Sequence, residues 1–165
     1  AVAQALRAHE APKIVLDTVM VAKSGDRLMP DDAVAFFKEE LLPLADVITP
    51  NLPEASVLLG HNVRDMKDMY AAAQELWDMC GGKTAVYLKG GHSVEETLRD
   101  VFYDGKAFID LDGPRVHTKN THGTGCSLSS AIAALWARTE DLPQAVRLAR
   151  RYIEEAITAS DDLTV

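Results

Sequence analysis

Residues 118–130 read TKNTHGTGCSLSS and hold the most chemically suggestive spacing in the chain. Gly123 and Gly125 permit close backbone approach and dihedrals that other residues disfavour. They open into a run of small residues with helical character. The N-terminus of such a helix presents unpaired N–H groups and a positive dipole end, which attract an anion such as a phosphate in transfer. Cys126 falls in the first turn, where a thiolate is stabilised and its pKa can fall. The plainer alternative is a glycine turn that caps a structural helix, and the segment alone supports both. Cys126 with His122 also spells a protease-like pair, but no third partner or substrate groove is legible beside it.

Three further spots combine polar groups with strand ends. Lys89 precedes Gly90 and Gly91, so an ammonium there can reach phosphate oxygens while the glycines leave room; a solvated lysine is the bland alternative. Asn51 and Glu54 form N-x-x-E. That spacing can put an amide and a carboxylate near metal-bound phosphates, with water between Glu54 and Mg²⁺, or it can simply cap a helix. Asp17 lies within an apolar run, an expensive place for a charge without a partner. It can pair with a cation or hold a metal–nucleotide site, or bond to loop N–H groups. His92, His117, Trp77 and Trp136 suggest surface or core positions only.

The elements that must position these groups are short strands and amphipathic helices. Residues 14–21 (IVLDTVMV) suit a strand buried on both faces of a parallel sheet. Residues 46–49 and 84–88 suit two more. Residues 100–103 and 106–111 around Asp104-Gly105 predict a two-residue hairpin, and 115–118 a further strand. Helices are expected over 33–42 with Asp31 or Asp32 as cap, after the prolines at 50 and 53, over 65–80, 124–137 and 143–159, and at the opening AVAQALRAHEAPK. This alternation implies an α/β fold with a mostly parallel sheet and a small antiparallel edge. In such sheets ligands collect at the carboxyl ends of the strands, where KSGD, TPNLPE and KGGH all fall.

Composition narrows the function classes. The 165 residues are 47% hydrophobic, enough for one core and one domain. A net charge of −8 with no basic stripe argues against nucleic acid. No apolar run approaches the roughly 20 residues that span a bilayer, so no membrane partner is expected. Two cysteines, Cys80 and Cys126, stand far apart with no C-x-x-C pair, which favours a reducing cytoplasm. The first residues lie inside an apparent helix without a methionine, which suggests missing upstream sequence.

The segment NTHGTGCSLSSAIA resembles the anion-hole motif of hydroxymethylpyrimidine and phosphomethylpyrimidine kinases, which are ribokinase-like. VLDTVMVAKSGDRLM, VITPNLPEA and YLKGGH match the same family in order and spacing. The resemblance implies a three-layer αβα sandwich, of which residues 1–165 would be the nucleotide-binding portion, truncated at both ends. It implies ATP as phosphate donor, with Mg²⁺ and a monovalent cation such as K⁺, and the hydroxymethylpyrimidine or its monophosphate as acceptor in thiamine biosynthesis. Most ribokinase-like kinases place an aspartate base where this subgroup, and some pyridoxal kinases, have cysteine; Cys126 would take that role, aided by Lys89. Gly123, Thr124, Gly125, Asn51, Lys89 and Thr118 would bind nucleotide or phosphate. Val19 and Met20 would border the pyrimidine with Cys126, and Asp17, Glu54 and Thr49 would serve the metal. A homodimer is the common state of such relatives. The alternatives are a pyridoxal or pyridoxine kinase with the same cysteine, and an inert nucleotide-binding fragment.

Overall fold

Short β-branched segments pair side by side because each can bury both faces. In the computed structural model, which describes residues 1–21, 28–91, 97–118 and 120–160, β1 (Val15–Leu16), β2 (Val47–Ile48) and β3 (Ala85–Leu88) run parallel, and β4 (Thr97–Tyr103) and β5 (Phe108–Pro114) complete a sheet in sequence order. The register pairs Val15 with Val47 and Val47 with Ala85. Alternate side chains leave on opposite faces. Leu16, Ile48, Val86, Leu88, Val101 and Tyr103 enter one core, and Val15, Val47, Ala85, Tyr87 and Phe102 the other.

Each core is closed by its own helices. The first receives Leu52, Ala55 and Leu58 from α3 (Leu52–Leu59) and Met69, Ala73 and Leu76 from α4 (Met66–Met79). The second receives Leu128 and Ile132 from α5 (Thr124–Thr139) and Val146, Ala149 and Ile153 from α6 (Leu142–Ala159). The expected three layers are therefore present. A short α1 (Val2–Ala8) precedes them, and α2 (Asp31–Phe36) continues through a π-helical turn, Phe37–Leu41, into a 3-10 turn, Leu42–Leu44.

The sheet departs from expectation. Its antiparallel part is no small edge: two of the four pairings are antiparallel, and β4 and β5 are each longer than any parallel strand. The first strand is only two residues, since beyond Leu16 Asp17 turns to Thr49 after β2 and Thr18 to Glu54 of α3. The hairpin turns through four residues, 104–107. Asp104 Oδ1 accepts the Lys106 and Ala107 N–H groups at 2.9 and 3.0 Å, and Gly105 at φ +82° leaves room for the Trp77 ring. Residues 115–118 are not a strand, and Pro114 paired with Thr97 is the last described rung of the ladder. Pro30, rather than Asp31 or Asp32, holds the cap position of α2, with both acids in its first turn.

Candidate active site

The carboxyl ends of the three parallel strands converge on the N-terminus of α5. Asp17 follows β1, Thr49 and Asn51 follow β2, and Lys89 follows β3. The loops after β2 and β3 are tied by the Lys89 N–H donating to Pro50 O at 2.8 Å, beside a parallel bridge of Asn51 with Lys89. A cleft of about 1220 Å³ opens here. Asp17, Val19, Asn51, Glu54, Lys89, Thr118, Gly123, Thr124, Gly125 and Cys126 all line it. Thr49 and Met20 do not: Thr49 is wholly buried behind Asp17, and Met20 packs in the first core. Residues 23–26 (KSGD) and His92 lie outside the described residues.

Lys89 is the electrostatic centre. Its Nζ stands 3.4 Å from Asp17 Oδ1 and 4.0 Å from Glu54 Oε2, and it is mostly buried, which strengthens both attractions. Thr49 Oγ1 donates to Asp17 Oδ1 at 3.1 Å and shares a 2.9 Å hydrogen bond with Ser129 Oγ. Asp17 Oδ2 is buried without a hydrogen-bond partner among the described residues. Asn51 and Glu54 form a reciprocal capping box on α3: Glu54 N–H donates to Asn51 Oδ1 at 2.8 Å, and Asn51 N–H to Glu54 Oε2 at 2.9 Å. Capping and site roles thus coexist in one pair. Thr18 Oγ1 donates to the same Glu54 oxygen at 3.2 Å. Burial pushes the Glu54 carboxyl above its ordinary value, against the lowering pull of Lys89 and the Asn51 N–H.

Opposite Lys89, α5 starts at Gly123, in the left-handed region at φ +76°, with no side-chain cap among the described residues. The first intrahelical bond is Ser127 N–H to Gly123 O, so the N–H groups of Thr124, Gly125 and Cys126 come before the ladder begins. A Cβ at Gly125 would lie 3.3 Å from Lys89 Nζ, so the glycine lets the ammonium approach the helix closely. The lysine ammonium and the helix N-terminus therefore meet at one point. Cys126 is exposed on the cleft, whereas Cys80 is buried and its thiol is raised to about 11 by desolvation.

The phosphomethylpyrimidine kinase family model matches residues 1–165. The chain belongs to the phosphomethylpyrimidine kinase family. It is 45% identical to the hydroxymethylpyrimidine/phosphomethylpyrimidine kinase of Rhizobium meliloti, with 100% of this chain and 61% of that protein covered. Among solved structures, the pyridoxal kinase from Staphylococcus aureus in complex with AMP-PCP superposes with a TM-score of 0.83 at 32% identity, covering 94% of this chain and 56% of that one. The phosphomethylpyrimidine kinase of Clostridium difficile gives 0.79 at 32% identity, covering 94% and 62%. The fold is thus the ribokinase-like kinase fold, and the chain spans roughly three-fifths of the length of such relatives.

Several polar residues of this phosphomethylpyrimidine kinase family chain escaped sequence reasoning. Thr18 and Ser129 fall within the family segments but suggested no role, and only contact reveals them as the supports of Glu54 and Thr49. Asp100, in the strand expected over 100–103, suggested no role, yet it is buried with Tyr87 and Arg150. A signal was present: Asp100 shares its strand face with Phe102, a core residue. Trp77 packs on Gly105 and Gly82, and Trp136 joins the second core, as expected of residues with no chemical role.

Proposed function

We propose that this chain supplies the nucleotide side and the base of an ATP-dependent kinase that phosphorylates 4-amino-5-hydroxymethyl-2-methylpyrimidine and then its monophosphate, for thiamine assembly. The observation that carries this reading is the meeting of Lys89 Nζ with the open N-terminus of α5 at Gly125, one residue before Cys126. Phosphoryl transfer asks for a neutralised polyphosphate and a positioned nucleophile, and little else. Lys89 and the first N–H groups of α5 neutralise and orient the transferring phosphoryl oxygens. Cys126 Sγ takes the proton from the acceptor hydroxyl as its oxygen attacks the γ-phosphorus and ADP leaves. Val19, half-exposed on the cleft wall, offers apolar surface to a flat heteroaromatic ring.

The residues present fit Mg²⁺. Asp17 keeps a buried carboxylate oxygen unpartnered among the described residues, and Glu54 adds a second hard oxygen group beside Lys89. Bound there with the nucleotide, the ion would supply neutralisation of phosphate charge. The Thr49 hydroxyl donates to Asp17 and meets Ser129, and so steadies Asp17. ATP consumption measured in parallel with the pyrimidine, with pyridoxal and with no acceptor tests the reading. Pyrimidine-dependent turnover supports it. Faster turnover on pyridoxal would move the assignment to the activity named for the Staphylococcus aureus neighbour. Nucleotide binding with equal background turnover throughout would leave a binding module only.

A further inference from the structure

Lys89 must be held rigidly to act, and its own strand does not do this alone. The β3–β4 ladder stops at Leu88 paired with Val101. Beyond that point the two successive amides are fastened to opposite flanks: the Lys89 N–H donates to Pro50 O at 2.8 Å, and the Gly90 N–H to Asp100 Oδ1 at 2.8 Å. The Asp100 side chain thus replaces the missing rung of the sheet. Gly90 lies so close to β4 that a Cβ would overlap the Arg99 carbonyl oxygen.

Asp100 is itself fixed from two elements. Its Oδ2 accepts the Tyr87 hydroxyl from β3 at 2.9 Å and faces Arg150 Nε of α6 at 3.2 Å. Arg150 Nη1 in turn donates to Glu154 Oε2 at 3.2 Å. Arg150 and Asp100 are both about nine-tenths buried at the cleft wall. A carboxylate buried among an N–H, a phenol and a guanidinium has no freedom to move, so the peptide it holds has little either.

We infer that Asp100, held by Arg150 and Tyr87, is a positioning residue for the nucleotide phosphates, acting through the Gly90 amide on Lys89. This rests on the reading of the cleft as a nucleotide site, not on which acceptor is used. The sign of the effect separates positioning from simple charge. Asp100 adds negative charge near an anion site, so by field alone its neutralisation would tighten nucleotide binding. Positioning demands the reverse.

The test is calorimetric titration of the full-length protein with a non-hydrolysable ATP analogue and Mg²⁺. Asp100→Asn is expected to weaken the analogue roughly tenfold, the loss of one charge-assisted hydrogen bond. In a Lys89→Ala background the same substitution should change affinity by less than about twofold, because the two residues act as one unit. If Asp100→Asn does not fold, Asp100→Asn with Arg150→Met, which leaves no buried charge unpaired, is read in its place. Unchanged or tighter binding, or full additivity with Lys89→Ala, overturns the proposal. Loss of folding in both variants assigns the network to the fold alone and also overturns it. Failure of the kinase reading would show separately, as an absence of acceptor-dependent turnover with analogue binding intact.

Discussion

Two carboxylates flank the Lys89 segment, Asp100 buried and Asp17 partly so, and they are treated in opposite ways. Asp100 has both oxygens hydrogen-bonded, one by the Gly90 amide and one by the Tyr87 hydroxyl, and it pairs by charge with Arg150, whose Nε makes no hydrogen bond among the described residues. Asp17 spends one oxygen on Thr49 and Lys89 and leaves the other without a hydrogen-bond partner among the described residues. A buried unsatisfied oxygen costs free energy unless function uses it. On the reading proposed above, the satisfied acid aims the lysine and the unsatisfied one meets a ligand, so that the partners of one chemical group divide it between positioning and binding.

Stability separates them most sharply. Asp100→Leu removes one member of a buried ion pair and leaves Arg150 with Glu154 alone, so it is expected to lower unfolding free energy by about 3–5 kcal/mol, read by denaturant titration. A loss below about 1 kcal/mol would break the contrast. On the open side of the cleft, Cys126→Ala should cut acceptor-dependent turnover by roughly 10²–10⁴, the usual worth of a general base. Its affinity for a non-hydrolysable ATP analogue should stay within about twofold. Unchanged turnover would remove Cys126 from the base role.

Asp17→Asn should reduce turnover roughly 10–100-fold, the range for groups that support a metal site, while leaving the thermal midpoint nearly untouched. A midpoint drop like that of the Asp100 variant would make the two acids equivalent. The smallest effect falls on Glu54. Its carboxyl pKa is raised by burial in the folded state, so protonation favours the fold, and that contribution is lost as pH rises through the folded pKa. Glu54→Gln should therefore raise the thermal midpoint at neutral pH, read by melting curves. The gain should shrink as pH falls toward the ordinary glutamate value of 4.5, and activity should fall at every pH. A lowered midpoint at neutral pH would show that Glu54 is a net stabilising ion-pair partner.

Much of this was legible from residue types. Gly123, Gly125 and Cys126 announce a helix N-terminus built for close approach, and N-x-x-E announces its cap and carboxylate together, because both rest on local spacing within one or two turns. Strand identity was local for β2, β3 and the hairpin, since short β-branched and alternating runs have few alternatives, but 115–118 formed no strand and 14–21 kept only Val15–Leu16. Sheet composition was not local. Whether a hairpin makes half the sheet or an edge depends on where long-range pairing stops, and no residue records that.

The sequence by itself determined the family, the layers and the set of groups gathered at the strand ends, since motif order and hydrophobic period are properties of the chain alone. Only the tertiary structure decided what each polar group does there. It put Thr49 behind Asp17 rather than on the cleft, buried Met20 in the core, and revealed Asp100 and Arg150 as the clamp on Gly90. The physical reason is that burial and hydrogen-bond satisfaction arise between residues 10 to 80 positions apart. A carboxylate's role is set by which partners reach it, and partners at that separation are chosen by packing.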